Sequence, residues 1–161
     1  MFINWLKSDS VKSNLKTIFL MLVVVFVVTQ YQQRDMNEGQ AQILESIDYS
    51  NGPTLVYFWG SWCSICSTTS PSVSTLAQES NHNIVSIALS SGNDEEVHRY
   101  LNENDYVFSA INDDNGLISK SWGVAVTPSI FIIDSKGGIR FTSTGMTSLW
   151  GMKLRLWLAT L

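Results

Sequence analysis

Cysteine and histidine are scarce in this sequence, which has only two of each among its 161 residues. Two cysteines cannot supply the disulfide framework of a small secreted domain, and they cannot form a four-thiolate zinc or iron–sulfur site. The two histidines, His82 and His98, lie well beyond Cys63 and Cys66 in the chain. We therefore expect surface histidines, no metal ion and no cofactor.

Charged residues are also sparse, at 15% of the chain, with a formal net charge of −4 and no run of lysine or arginine. This composition excludes a general nucleic-acid partner, because basic surfaces hold such partners. Hydrophobic residues make up 45% of the chain, which excludes a disordered protein. The length suffices for one domain with a short appendage.

The longest hydrophobic run lies near the amino terminus. Residues 17–33 carry no charge and include eleven consecutive apolar residues at 18–28. Residues 1–16 contain three lysines and one aspartate, which suits a cytoplasmic flank under the positive-inside rule. We therefore predict a cytoplasmic segment at 1–16, a transmembrane signal anchor at 17–33 and an exported domain at 34–161. A cleaved signal peptide and a buried strand are alternatives, although no small-residue cleavage site follows the run.

The exported domain alternates strand-like and helical patterns along its length. Short runs of β-branched and aromatic residues predict strands at 54–59, 83–89, 107–111, 129–134 and 139–143. Segments with helical spacing of apolar residues predict helices at 64–79, 95–104, 117–122 and 147–161. This order predicts an α/β fold in which a mixed sheet carries helices on both faces.

Both cysteines belong to one motif, Cys63-Ser64-Ile65-Cys66, which follows the predicted strand at 54–59 and opens the next helix. At a helix amino terminus, the unpaired N–H groups and the helix dipole favour negative charge. A thiolate at Cys63 would be stabilised there, which lowers its pKa below the usual value of about 8.5. Two thiols one helical turn apart therefore meet the requirements of reversible thiol–disulfide exchange.

Other functions of the cysteine pair fit the sequence less well. A structural disulfide that closes so short a loop would constrain the unfolded chain only a little. Covalent haem attachment requires a histidine directly after the second cysteine, and this sequence has Ser67 at that position.

The segment 62–66 (Trp-Cys-Ser-Ile-Cys), placed after the strand at 54–59, resembles the active site of the thioredoxin fold. Pro71 falls where that family kinks its active-site helix, and the Val-Thr-Pro segment at 126–128 matches its cis-proline loop. Within the superfamily, the chain resembles the membrane-anchored branch named for TlpA and DsbE. Residues 144–158 resemble the subgroup named for suppression of copper sensitivity, in its D component.

This resemblance implies roles for five residues. Cys63 would be the attacking cysteine and Cys66 the resolving cysteine, and together they would form a redox-active disulfide. Pro128 in the cis form would lie against the dithiol and leave the backbone of Thr127 free to pair with an extended client strand. Trp62 would offer an exposed aromatic surface beside the dithiol, with a partly buried packing role as the alternative.

One position departs from the pattern of the family. Thioredoxin carries a buried aspartate six residues before its first cysteine, and this sequence has Tyr57 there. A phenol with a pKa of about 10 cannot move protons for Cys66 near neutral pH, so we expect water or another group to do so. The pair Ser64-Ile65 also replaces the more usual residues between the cysteines, which tune the thiolate.

The sequence and the resemblance together predict a membrane-tethered thiol–disulfide oxidoreductase of the bacterial inner membrane, with its catalytic domain in the periplasm. Its substrates would be disulfides or thiols of client proteins. The resemblance favours a reductase that is supplied by a membrane thiol electron donor. The alternative is a periplasmic Cu(I) chaperone that binds the metal through Cys63 and Cys66, because soft thiolates select Cu(I). Copper carriers on this fold usually bring a third ligand.

Overall fold

The computed structural model describes residues 18–21, 23–24, 52–79 and 82–161 of the chain. The chain divides into two units, Met1–Asp35 and Met36–Leu161. In the first unit, the described residues are helical and exposed to solvent. The predicted cytoplasmic segment and most of the predicted anchor lie outside the described residues. Within the described part of the chain, no helix is long and apolar enough to cross a membrane.

Five strands of the second unit form one mixed sheet in the order β3-β2-β1-β4-β5. They are β1 (Thr54–Trp59), β2 (Asn83–Leu89), β3 (Ala110–Asp113), β4 (Ser129–Ile133) and β5 (Ile139–Thr144). Strands β1, β2 and β3 pair in parallel, whereas β4 and β5 add to the other side of β1 as antiparallel strands. The predicted mixed sheet is therefore confirmed, with β1 at its centre.

Four helices cover the sheet. They are α1 (Ser64–Gln78), α2 (Asp94–Glu103), α3 (Leu117–Ser121) and α4 (Leu149–Leu158). Helix α1 runs continuously through Pro71. An Asn93–Glu96 capping box starts α2, which satisfies backbone N–H groups that would otherwise lack partners.

Strand β1 separates two hydrophobic cores because its side chains alternate between the faces of the sheet. On one face, Leu55, Tyr57 and Trp59 pack against apolar residues of α1, α2 and α4, among them Val73, Leu76, Val97, Leu101, Met152 and Leu156. On the other face, Val56 and Phe58 pack against Trp122 at the end of α3. The expected arrangement of helices on both faces is thus confirmed. This packing fixes the carboxyl end of β1, from which the chain turns into α1.

One predicted strand lies in a different place. The apolar pattern predicts a strand at 107–111, but β3 begins at Ala110, which pairs with Ser86. The side chain of Val107 is 56% exposed, and its backbone N–H donates to Ser74 instead of to a strand. The polar end of β3 is held by Asp113, whose carboxylate accepts the backbone N–H groups at the start of α3. Side-chain capping, which the apolar pattern does not reveal, therefore sets this boundary.

Candidate active site

The first cysteine forms the N-cap of α1. A turn follows β1 and is closed by a hydrogen bond from the Cys63 N–H to the Gly60 carbonyl, at 3.1 Å. Cys63 itself has extended backbone angles, and its Sγ accepts the backbone N–H of Cys66 at 3.2 Å. Negative charge on this sulfur would therefore lie at the positive end of the helix dipole.

The two cysteines form a disulfide, and their environments differ. Their Cα atoms are 5.2 Å apart. Cys63 retains 8% of its surface and Cys66 only 1%, so Cys63 is the more accessible of the two residues. Cys66 lies beneath it, within the core on the face of α1.

The predicted cis-proline loop meets the dithiol. The peptide bond between Thr127 and Pro128 is cis, and the Thr127 carbonyl oxygen lies 3.6 Å from the Cys63 Sγ. The hydroxyl of Thr127 is buried and has no hydrogen-bond partner within the described structure. Pro128 is buried, and its carbonyl accepts the N–H of Gly145 at 2.8 Å. The structure therefore brings Cys63, Cys66 and this loop together.

Trp62 is exposed rather than buried, with 60% of its surface accessible. Its indole N–H donates to the carbonyl of Leu89 at 3.1 Å, which fixes the ring at the end of β2. The ring lies over Gly60, where an added Cβ would come within 2.6 Å of it. Glycine is therefore required at this turn for the observed position of the indole ring.

Apolar side chains continue this exposed surface along the cysteine motif and the loop that precedes the cis-proline. Ile65 and Val126 are 51% and 52% exposed. Met146 is 71% exposed, and it follows the glycine that pairs with the cis-proline loop. We call Trp62, Ile65, Val126 and Met146 the apolar rim. Sequence reasoning did not find Met146, because a single methionine after a strand carries no signal of its own.

Tyr57 lies under the second cysteine and is fully buried. Its hydroxyl lies 2.9 Å from the Ser70 hydroxyl and donates to the Cys66 carbonyl at 3.4 Å. Burial raises the pKa of Tyr57 well above its usual value, and the hydrogen bond with Ser70 offsets only part of that rise. The phenol therefore stays protonated at neutral pH, as the sequence leads us to expect. Ser70 has no sequence signal, since its role depends on a residue of another element.

The two histidines lie on other parts of the structure. His82 Nε2 is 3.4 Å from a carboxylate oxygen of Glu79, beyond the end of α1. His98 Nδ1 is 2.7 Å from the backbone carbonyl of Asp94 on α2. In the described ranges, no group of three or more histidine, cysteine, aspartate or glutamate side chains could hold a metal ion.

A Cys-x-x-Cys pair at the start of α1, in contact with a cis-proline loop on a sheet of this order, defines a thiol–disulfide oxidoreductase with a thioredoxin-like fold. The profile of the Redoxin family matches residues 26–148, which is most of the chain. The chain therefore belongs to the Redoxin family.

Individual relatives support this assignment. A thioredoxin-like protein of Haemophilus influenzae is 39% identical over 166 residues, which cover 96% of this chain and 98% of that protein. The thiol:disulfide interchange protein DsbE of Pseudomonas aeruginosa is 31% identical over 112 residues, which cover 68% of this chain and 60% of that protein. The exposed lipoprotein thioredoxin of Streptococcus pneumoniae superposes with a TM-score of 0.62 at 22% identity, covering 69% of this chain and 87% of that one. At that identity, the likeness to the solved structure concerns the fold alone.

Proposed function

We propose that this protein exchanges disulfides with client proteins through Cys63 and Cys66. The observation that carries the proposal is the placement of Cys63 at the N-cap of α1, where its sulfur accepts the Cys66 N–H at 3.2 Å. The residue Cys63 keeps 8% of its surface exposed, whereas Cys66 keeps only 1%. This difference separates an attacking cysteine from a resolving one.

The reaction in the reducing direction has two steps. The Cys63 thiolate attacks one sulfur of a client disulfide, which forms a mixed disulfide and releases the other client sulfur as a thiolate. Cys66 then loses its proton and attacks the Cys63 sulfur, which closes the Cys63–Cys66 disulfide and releases the second client thiolate. The neutral phenol of Tyr57 does not accept the Cys66 proton, because its pKa is raised by burial. A departing client thiolate is a base of suitable strength for this proton.

The residues around the dithiol suit an extended and apolar client segment. The apolar rim provides exposed hydrophobic area on the cysteine motif and on the loops next to the cis-proline. The backbone of Thr127, beside Cys63, would pair with the client chain as an added strand. Trp62 and Pro128 would complete the surface against which the client lies.

We further propose that the protein is a membrane-tethered reductase whose catalytic domain faces the periplasm. The uncharged segment at 17–33 and the lysines before it support the tether. The relatives named thiol:disulfide interchange protein DsbE support an assignment to the membrane-anchored branch named for TlpA and DsbE. The resemblance of residues 144–158 supports the subgroup named for suppression of copper sensitivity. A membrane thiol protein would then supply electrons to the Cys63–Cys66 disulfide.

The copper-chaperone alternative finds no supporting observation. Copper carriers on this fold usually bring a ligand besides the two thiolates, and here both histidines lie on other elements. The part of the chain that the structure describes holds no metal-binding group of three suitable side chains. We therefore propose disulfide exchange rather than copper transport.

Two measurements test the proposed function. The purified full-length chain should reduce insulin disulfides when dithiothreitol regenerates it, and thiol trapping in cells should find Cys63 and Cys66 mainly reduced. A predominantly oxidised pair in cells would reverse the proposed direction. Stoichiometric Cu(I) binding to the reduced protein, with no insulin reduction above background, would replace the proposal by the copper carrier.

A further inference from the structure

Two hydrogen bonds join the turn that carries Cys63 to the segment at the end of β2, and a third lies within that segment. The Ser61 N–H donates to the Ser91 hydroxyl at 2.9 Å, and that hydroxyl donates to the Leu89 carbonyl at 3.1 Å. The Trp62 indole N–H donates to the same carbonyl at 3.1 Å. We call these three bonds the turn latch. Ser91 is its centre, because one hydroxyl acts there as donor and acceptor at the same time.

The chain is bent at the latch in a way that few residues tolerate. Ser90 has a φ of 45°, in the left-handed region that residues with a side chain seldom adopt. Its N–H donates to the Asp113 carbonyl at 3.1 Å, and its hydroxyl donates to the Asp114 carbonyl at 3.3 Å. This bend turns Ser91 back toward Leu89, where its buried hydroxyl meets the active-site turn. Such strain persists only where the surroundings impose it, and it concentrates at functional sites.

The latch has different consequences in the two redox states. In the oxidised protein, the disulfide itself holds Cys63 against α1. Reduction removes that bond, so the Cys63 sulfur then stays at the Cys66 N–H only if the turn keeps its place. The residues of the turn before Cys63 are tied to β2 through Ser91 and Leu89. Loss of the latch should therefore destabilise the reduced protein more than the oxidised one, in which the disulfide also holds Cys63 in place.

We propose that Ser91 is a positioning residue that raises the redox potential of the Cys63–Cys66 pair by holding the active-site turn in the reduced state. The inference rests on the proposed function, in which Cys63 is the reactive thiolate. The sign follows from the half-reaction, in which the disulfide takes up two electrons and two protons to give the dithiol. A contact that stabilises the dithiol favours reduction, and its loss makes the pair harder to reduce.

The test compares three variants of the full-length chain. Ser91→Ala removes both hydrogen bonds of the hydroxyl, whereas Ser91→Thr retains a hydroxyl at the same position. Ser74→Ala is the matched control, since Ser74 is also a buried serine whose hydroxyl accepts a backbone N–H, that of Val107 at 3.0 Å. Each protein is equilibrated in buffers of reduced and oxidised glutathione, and the reduced fraction is measured by thiol trapping.

We expect Ser91→Ala to lower the equilibrium constant for reduction by glutathione roughly fivefold to tenfold. This is the effect of destabilising the reduced protein, relative to the oxidised protein, by about the net contribution of one hydrogen bond. The Cys63 thiolate should also titrate at a higher pH in this variant, and Ser91→Thr should restore both values. Ser74→Ala should lower the melting temperature and leave the equilibrium constant unchanged. An unchanged equilibrium constant in Ser91→Ala, or an equal shift in Ser74→Ala, would overturn the proposal.

The same titration separates failure of the latch from failure of the proposed function. If the wild-type dithiol does not exchange with glutathione at all, both the proposed function and the proposed role of the latch are refuted. If the wild-type protein exchanges normally and the Ser91→Ala variant has an equal redox potential, only the proposed role of the latch is refuted.

Discussion

The two ends of helix α1 are surrounded by different kinds of groups. At the amino end, the Cys63 sulfur contacts the Thr127 carbonyl and the Cys66 N–H, and the Tyr57 phenol contacts the Cys66 carbonyl; none of these groups is charged at neutral pH. Beyond the carboxyl end, Lys153 Nζ is 2.6 Å from one oxygen of Glu79, and His82 is 3.4 Å from the other. The lysine, chiefly through its hydrogen bond, lowers the pKa of Glu79.

The two ends of α1 therefore differ in what they affect: the amino end bears on the reactivity of Cys63, and the carboxyl end bears on the stability of the fold. Because these hydrogen-bond partners are neutral, we expect the helix end to govern the charge of a Cys63 thiolate. The ion pair at the other end is partly exposed, and screening by solvent keeps the contribution of such a pair to folding small. We therefore expect the amino end of α1 to determine the chemistry, and we expect changes at its carboxyl end to have small consequences.

Removal of either sulfur from the neutral end should have the largest effect. Cys63→Ser should abolish exchange, because no thiolate then remains at the N-cap. Cys66→Ser should instead stop the reaction after the first step and accumulate a mixed disulfide with the client. Non-reducing electrophoresis with a disulfide-bonded peptide measures both outcomes. A Cys66→Ser variant that turns over at the wild-type rate would contradict the assigned order of attack.

Introduction of a charge at the neutral end should have the next largest effect. Val126 is exposed and precedes Thr127, whose carbonyl lies 3.6 Å from the Cys63 sulfur. Val126→Glu should raise the pKa of Cys63 and slow exchange at pH 7 by roughly threefold to tenfold, because a carboxylate disfavours a nearby thiolate. Val126→Gln, which removes the same apolar contact without charge, is the control. Equal pH–rate profiles for the two variants would show that charge near the sulfur is unimportant.

Tyr57→Phe should affect stability more than catalysis. The variant leaves the buried Ser70 hydroxyl without its 2.9 Å partner, which we expect to lower the free energy of unfolding by about 1 kcal/mol. Exchange at pH 7 should be unchanged, because the phenol carries no proton for Cys66. A tenfold slower second step in Tyr57→Phe would instead identify the phenol as a proton carrier.

The pH dependence of this variant gives a second readout. The pKa of Tyr57 is raised in the folded protein, mainly by burial, so folding favours the neutral phenol. Its contribution is fully present below a pH of about 10 and is lost as the pH rises beyond that value. Denaturant titrations above pH 10 should therefore show a steeper loss of stability in the wild type than in Tyr57→Phe.

A change at the charged end should have the smallest effect. Lys153→Gln should lower the melting temperature slightly at pH 7 and leave the exchange rate unchanged. The contribution of the lowered Glu79 pKa is present above the usual carboxyl pKa of about 4.3 and is lost as the pH falls below it. The difference in melting temperature between the two proteins should therefore narrow near pH 3. A change in the Cys63 titration caused by Lys153→Gln would contradict the claim that the two ends of α1 act independently.

Much of the fold can be predicted from the sequence, because its strongest patterns reflect burial. The apolar run at 54–59 predicts the bounds of β1, which is buried along its whole length at the centre of the sheet. The start of α1 is also predicted, since the cysteine motif follows that strand directly. Burial of a central strand leaves a continuous apolar pattern in the sequence, and this pattern is hard to misplace.

The prediction is weaker where polar contacts between distant elements decide the structure. Strand β3 begins after its predicted start because the Val107 N–H donates to Ser74, and Asp113 at its other end accepts N–H groups of the next helix. The latch around Ser91 and the Tyr57–Ser70 contact join residues far apart in the chain, and a serine carries no local sign of such a partner. The reactive residues were therefore accessible from the sequence, whereas the residues that position them required the structure.

The most direct test of this account is the titration of Cys63 by its thiolate absorbance in the reduced protein, with Cys63→Ser as the reference. Since its sulfur lies at the N-cap of α1 among neutral neighbours, we predict a midpoint well below the value of about 8.5 for an ordinary thiol. A midpoint at or above about 8.5 would contradict the claim that the helix end activates this cysteine.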